Sequence, residues 1–173
     1  RDVAWTAKKA ALEVVFAVPR SPARQQAFDD YVAAEGPGLE TFALWCALVE
    51  RYGGIAGWPD EARDPSSERV AAARVELAER VRFFEWLQWV ADEQLAVAQR
   101  AATDAGMRIG IMHDLAVGAH PEGADAWALR DVLATGATVG ARRTCTTSRA
   151  RTGRSRRGTR TRWPAPATAR TGT

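Results

Sequence analysis

An abrupt change in composition at residue 142 divides the chain into two parts with different folding prospects. Residues 142–173 contain ten arginines and no aspartate or glutamate. Of the chain's 24 basic residues, 14 therefore precede this border together with all 21 acidic residues, which gives residues 1–141 a net charge of −7. The arginine-rich segment has almost nothing apolar to bury and is predicted to be disordered. A folded core is expected in residues 1–141, a length typical of one domain.

The first part of the chain carries apolar residues at helical spacing, interrupted by residues that end helices. Residues 3–18 predict a first helix, which Pro19 ends. Ser21 and Pro22 suit the N-cap and the first position of a second helix, and Gly36 suits its end. Two consecutive helices are therefore predicted before residue 37.

A third helix is predicted to end at Gly53, followed by a loop over residues 55–67. Its apolar stripe is predicted to consist of Phe42, Trp45, Cys46 and Val49. Both predictions follow from the spacing of the large apolar residues alone.

The longest helical pattern opens at Asp64 and Pro65 and runs to about Ala105. Because it exceeds the roughly 25 residues typical of one helix in a globular domain, we expect a bend near Arg82 or one unusually long helix. In its second half, one face is formed by Phe83, Trp86, Leu87, Val90 and Ala91. This spacing favours core packing over an aromatic binding site.

After this helix, residues 107–112 predict a short buried strand, and Asp114 follows it. Helix, tight turn, strand and acidic residue are the order found in one unit of an α/β barrel. Since the chemistry of such barrels lies at the C-terminal ends of the strands, Asp114 is a candidate functional residue. A barrel needs eight strands, so this chain can contain only part of one.

The residues around Asp114 leave several kinds of site open. His113 and His120 lie on either side of it, but their spacing matches no metal-ligand motif and no cysteine is near, so we expect no metal. Asp114 and Asp125 could form a carboxylate pair for glycoside chemistry. A loop aspartate is more often a helix N-cap, and Asp125 fits that role well before the following helix, which also carries Trp127.

The region from residue 83 to residue 141 closely resembles the amylomaltases, the 4-α-glucanotransferase (disproportionating enzyme) family. A less specific likeness extends back to about residue 20. The matching motifs are Leu87-Gln88-Trp89 with Gln94, Asp114-Leu115, Ala124-Asp125-x-Trp127 and Val139-Gly140-Ala141.

The resemblance implies both a fold class and a reaction. It implies an α/β protein, of which this chain is a fragment of an α-amylase-type (β/α)8 barrel with helical insertions, mostly helical as present here. The family transfers 1,4-α-glucan segments between maltodextrins with retention of configuration, through an Asp nucleophile and a Glu acid/base. No cofactor is implied, and maltodextrins are the expected partners of the intact parent.

The resemblance also implies which residues contact the substrate. Asp114 matches a strand-end aspartate beside the donor sugar, and Asp125 and Trp127 match the adjacent loop. His120 and Glu122 lie in a less standard stretch and are assigned no sugar contact. The family's nucleophile, acid/base and third catalytic acid lie C-terminal to residue 141, so the chain is expected to hold no catalytic residue and to be inactive.

The family continues after Ala141 with Pro-Pro-Asp, an aromatic residue and Asn, whereas this chain continues with Arg142. Read one base out of register, the same nucleotides can encode Pro-Pro-Asp-Met-Tyr-Asn and the motifs that follow. We therefore interpret residues 142–173 as out-of-frame translation. Two alternatives are a basic nucleic-acid-binding arm, whose binding would be non-specific and salt-sensitive, and a helical interaction protein.

A barrel fragment with one strand lacks the partners that cover its apolar faces. We therefore expect apolar surface around Trp86 and Trp89 to be exposed.

Cys46 and Cys145 make no disulfide framework. The sequence shows no signal region and no apolar run of about 20 residues, which predicts a cytoplasmic chain with no membrane partner. Because the first residue is Arg1 and not Met, we expect the given sequence to start inside a longer reading frame.

Overall fold

The computed structural model describes residues 2–114 and 118–133, and these residues are mostly helical. The helices are α1 Asp2–Ala17, α2 Pro22–Glu35, α3 Pro37–Tyr52, α4 Glu68–Glu76, α5 Ala78–Asp104 and α6 Ala124–Ala128. Two short 3-10 helices, Ile55–Gly57 and Asp60–Arg63, lie between α3 and α4. None of the described helices combines the length and the apolar character needed to cross a bilayer. The segment 142–173, interpreted above as out-of-frame, lies outside the described residues, and so does Cys145.

The predicted ends of the first three helices are confirmed, and local chemistry explains them. α1 ends two residues before Pro19. The Ser21 hydroxyl accepts a hydrogen bond from a main-chain amide at 3.3 Å and caps α2, with Pro22 in the first position. Gly36 ends α2 with φ +66° and Gly53 ends α3 with φ +76°, a range that favours glycine.

The core lies between α3 and α5, with α2 packed against both and α1 packed against α5. Trp86 and Trp89 belong to this core and are only 5% and 3% exposed. The expected exposure around these two rings is therefore wrong. Aromatic rings from the first two helices pack over them. Between ring centroids, Phe16 of α1 lies 5.5 Å from Trp86, and Phe28 of α2 lies 5.4 Å from Trp89.

The apolar stripe predicted for α3 is displaced from the side that is buried. Phe42 is exposed, and the other three members of the predicted stripe are only half-buried. The buried side of α3 is formed by Leu39, Ala43, Leu44, Ala47 and Leu48. Two members of the buried side are alanines, which a count of large apolar residues leaves out and which are small enough to fit between closely packed helices.

The long helical pattern is interrupted at Leu77, five residues before the predicted bend near Arg82. Leu77 has φ −106° and ψ 15°, away from helical values. On the predicted core face of α5, Phe83 and Trp86 are buried, Leu87 and Val90 are half-buried, and Ala91 is exposed. The interpretation of this face as core is thus confirmed except at its last residue.

The start of the long pattern also differs from the prediction, because α4 begins only after Ser67, whose hydroxyl caps it. The Asp64 carboxylate instead accepts hydrogen bonds from the amide and the hydroxyl of Ser66, at 2.9 and 2.7 Å. Asp side chains commonly hold such turns in place of helix. The preceding segment, predicted as a loop, contains the two 3-10 helices.

Residues 107–112 do not form the predicted buried strand. Gly110 has φ +79°, outside the extended region. The carbonyl of Ile109 and the amide of Ile111 bind the side chain of Gln99. The apolar side chains of this segment are exposed. A strand needs a neighbouring strand to satisfy its main chain, and none is formed within the described residues.

Candidate functional site

Trp127 fixes the loop that carries the second group of predicted sugar contacts. Its side chain is only 2% exposed, and its indole nitrogen donates to the carbonyl of Ala62 at 3.2 Å. Its ring packs edge-on against Trp58 with centroids 6.0 Å apart. Trp58 is itself buried and donates to the carbonyl of Gly53 at 2.8 Å. The two tryptophans therefore connect α6 to the end of α3 and to the loop that follows it.

A second connection joins α6 to the same loop through charge. The Arg130 guanidinium donates to the carbonyl of Arg63 at 3.0 Å and lies 3.8 Å from the Asp64 carboxylate. The two hydrogen bonds from Ser66, more than the charge of Arg130, lower the pKa of Asp64 below its usual value. Asp64 thus stays ionised and available to this pair.

Asp125 lies in the first turn of α6 and is exposed. It does not cap the helix, since Gly123 occupies the N-cap position. A Cβ added at Gly123 would lie 3.2 Å from the carbonyl oxygen of His120, a tight contact that the absence of a side chain avoids. Asp125 and Trp127 consequently face opposite environments, one the solvent and the other the core.

Beside Asp125 lies an open groove between the start of α3 and α6. Its walls are Pro37, Gly38, Thr41 and Phe42 on one side and Ala124, Asp125, Ala128 and Leu129 on the other. Phe42 and Leu129 expose 36% and 49% of their surface. The groove therefore combines apolar walls with one carboxylate at its edge.

Asp114 is exposed and lies on the irregular segment after α5, apart from the elements that carry Asp125. Among the described residues, no hydrogen bond or ion pair joins Asp114 to Asp125 or Trp127. The structure thus places the three predicted sugar-contacting residues on two separate segments. Exposed carboxylates of this kind can accept hydrogen bonds from hydroxyl groups.

The two histidines have different surroundings. His120 accepts a hydrogen bond from the amide of Glu122 at 3.1 Å through Nδ1 and closes a turn, and His113 is exposed next to Asp114. In residues 2–114 and 118–133, no three side chains of the metal-ligating types are grouped closely enough to hold a metal ion.

Two features of this region were missed from the sequence. Trp58 stands in a stretch rich in charged residues, and a tryptophan in such a stretch is a signal of burial that could have been used. The two hydrogen bonds of Gln99 to the main chain had no signal in the sequence, because a glutamine at a half-buried helix position is most often simply solvated.

Comparison with known proteins matches most of the chain to one family. Residues 1–142 match the family model described as 4-alpha-glucanotransferase. A 4-alpha-glucanotransferase of Mycobacterium tuberculosis is 54% identical over 142 residues, which are 82% of this chain and 20% of that protein. The chain therefore spans about a fifth of the length of this relative.

Two solved structures resemble the chain in fold. The amylomaltase from Corynebacterium glutamicum aligns with a TM-score of 0.71 and 40% identity, over 88% of this chain and 20% of that one. The amylomaltase from Streptococcus agalactiae in complex with acarbose aligns with a TM-score of 0.75 and 18% identity, over 87% of this chain and 32% of that one. At 18% identity the second likeness concerns the fold alone. These matches lend no support to a nucleic-acid-binding or helical interaction protein.

Proposed function

Because the chain belongs to the 4-alpha-glucanotransferase family, we propose that it is a segment of an enzyme that transfers 1,4-α-glucan segments between maltodextrins. The observation that carries this proposal is the family match over residues 1–142, supported by 54% identity to one relative. In the intact parent, the segment would supply helical insertions and one unit of a (β/α)8 barrel. The likeness to an amylomaltase at 40% identity supports this placement.

In the proposed reaction, a retaining double displacement, an Asp attacks the donor sugar and a Glu protonates the leaving oxygen. The acceptor sugar then displaces the enzyme carboxylate, with the same Glu acting as base. Both of these carboxylates are proposed to lie beyond residue 141 of the parent reading frame. The present chain is therefore proposed to be inactive by itself.

Within this chain, Asp114 and Asp125 are proposed to bind sugar hydroxyls. Their carboxylates are exposed and can accept hydrogen bonds from the hydroxyl groups of a sugar. Trp127 is proposed to support Asp125 by holding α6, which carries both residues, because its ring is packed against Trp58. The groove beside Asp125 offers Phe42 and Leu129 as apolar surface for the face of a sugar ring.

Residues 142–173 are proposed to be the product of a frame break between Ala141 and Arg142. The end of the family match at residue 142 supports this border. Sequencing the source DNA across codons 139–145 tests it, and an additional cytosine would make the tail an artefact of the given sequence. If the DNA agrees with the present chain, the gene itself carries the break.

The activity is tested with maltotriose and purified protein. The chain as given should release no glucose, whereas the product of the gene with one cytosine restored after codon 141 should release glucose while forming longer maltodextrins. Asp114→Asn in the restored enzyme should lower kcat/KM, with Asp104→Asn at the end of α5 as the matched control. Glucose release by the present chain, or a restored enzyme without activity, would contradict the proposal.

A further inference from the structure

The side chain of Gln99 forms a two-point contact with the main chain after α5. Its Nε2 donates to the carbonyl of Ile109 at 2.9 Å, and its Oε1 accepts from the amide of Ile111 at 2.7 Å. Both distances are those of ordinary hydrogen bonds, and both ends of one carboxamide are used. We call this contact the Gln99 bridge. It connects the last turns of α5 to the segment that leads to Asp114.

The residue between the two bonded groups is Gly110, which has no Cβ to block the bridge. Gly110 has φ +79°, and a Cβ added there would lie 2.4 Å from Nε2 and 2.6 Å from Oε1 of Gln99. Any other residue would therefore have to expel the carboxamide. Gly106 offers a comparison, because its φ is +92° but an added Cβ would meet no atom within 4 Å. Gly110 is thus required by the bridge as well as by its backbone angle.

The bridge attaches residues 109–111 to α5. The side chains of Met107, Ile109 and Met112 are 53%, 77% and 86% exposed, and the apolar packing of this segment is limited to Ile111, which is 38% exposed. In the described part of the chain, the two bonds of Gln99 are the hydrogen bonds that hold residues 108–114 to a helix. Asp114 follows the bonded amide of Ile111 by three residues, a reach of about 10 Å at most.

We propose that Gln99 is a positioning residue for Asp114, acting through the main chain of residues 109–111 with Gly110 as its required neighbour. The bridge fixes the point from which the chain runs to Asp114 and so limits where that carboxylate can lie. The consequence for sugar binding rests on the proposed function, in which Asp114 contacts the donor sugar. Both parts of the proposal concern this chain, in which residues 107–112 form no strand, and not the parent barrel, in which the same residues would pair with neighbouring strands.

The test uses the full 173-residue chain and nuclear magnetic resonance. In Gln99→Leu, the Ile111 amide should exchange with deuterium about five-fold faster, the factor that corresponds to one net hydrogen bond. The resonances of the Asp114 amide and carboxyl carbon should shift in the same variant. Gln99→Glu keeps the acceptor for Ile111 but loses the donor to Ile109, and should give a smaller increase in exchange.

Matched controls separate the bridge from general effects. Gln94→Leu changes an exposed glutamine on the same helix and should leave Ile111 and Asp114 unaffected. Gly110→Ala should reproduce Gln99→Leu, whereas Gly106→Ala carries comparable backbone strain and should not. Retention of the Trp127 indole resonance verifies that each variant is folded. Unchanged Ile111 exchange, or unmoved Asp114 resonances, in folded Gln99→Leu would overturn the proposal.

A titration with acarbose then tests the functional consequence separately. If Asp114 contacts sugar, Asp114→Asn and Gln99→Leu should each weaken binding, and the double variant should bind no more weakly than Asp114→Asn. If the losses of acarbose affinity in the two single variants add in the double variant, the proposal that Gln99 acts through Asp114 is overturned. A chain that binds no acarbose would contradict the sugar contact proposed for it, while the exchange result would still decide on the bridge.

Discussion

Replacing Trp127 by alanine tests whether the loop around α6 is an integral part of the fold. The ring is 2% exposed, lies 6.0 Å from Trp58 between centroids, and donates to the carbonyl of Ala62 at 3.2 Å. The variant removes the ring, the edge-on contact and the hydrogen bond together.

The expected loss in the free energy of unfolding follows from the buried area. A buried tryptophan ring removes about 200 Å² from water, which at about 25 cal/mol per Å² corresponds to an upper value of about 5 kcal/mol. Large-to-alanine changes of buried aromatic residues cost about 3–5 kcal/mol. Trp127→Phe keeps most of the ring and leaves the Ala62 carbonyl unpaired, for a loss of about 1–2 kcal/mol.

The assay is urea unfolding followed by far-ultraviolet circular dichroism, since tryptophan fluorescence would change with the variant itself. The order of midpoints should be wild type, then Trp127→Phe, then Trp127→Ala. Leu129→Ala is the control on the same loop, because Leu129 is 49% exposed and its truncation should cost less than about 1 kcal/mol. A midpoint for Trp127→Ala equal to that of Leu129→Ala would refute the claim that the loop unfolds together with the core.

Two further predictions concern titratable side chains of α5 and α3. Burial raises the pKa of Glu85, so around this pKa the folded chain binds more protons than the unfolded chain. The free energy of unfolding is therefore highest below the ordinary glutamate pKa and falls as the pH rises from there through the raised pKa of the folded chain. Glu85→Gln should flatten this part of the stability profile, measured by urea midpoints at several pH values, and an unchanged slope would contradict it. Burial also raises the pKa of the Cys46 thiol to about 12 from a reference of 9.0. In a Cys145→Ser background at about pH 8, native Cys46 should react with an aromatic disulfide reagent about 30-fold more slowly than a free thiol, because its lower thiolate fraction outweighs the greater nucleophilicity of each thiolate. Equal rates in the native and unfolded chains would contradict this.

The fold was predictable from the sequence where a feature depends on nearby residues only. Pro19, Gly36 and Gly53 end helices through the backbone angles they allow, and Ser21 caps α2 through an oxygen that reaches an amide three residues on. Family membership was equally accessible, because it depends on motifs that lie in the sequence itself.

The candidate site was predictable only in part. The sequence identified Asp114 and Asp125 as acids in suitable positions, and the structure places both at the surface. It did not indicate that Trp127 points into the core, because a tryptophan in a loop is compatible with either direction. The groove beside Phe42 could not be predicted either, since the residues of its two walls lie more than 80 positions apart in the sequence.

The sequence by itself determined the largely helical character, the ends of the first three helices and the change in composition at residue 142, since each follows from local backbone preferences or from composition. The tertiary structure alone decided which side of α3 is buried, how Trp86 and Trp89 are covered, and that residues 107–112 bend at Gly110 in contact with Gln99. The physical reason is that burial and main-chain pairing depend on which neighbours are present. A strand pattern becomes a strand only when another strand satisfies its main chain. In the described chain a single glutamine side chain binds two of those main-chain groups.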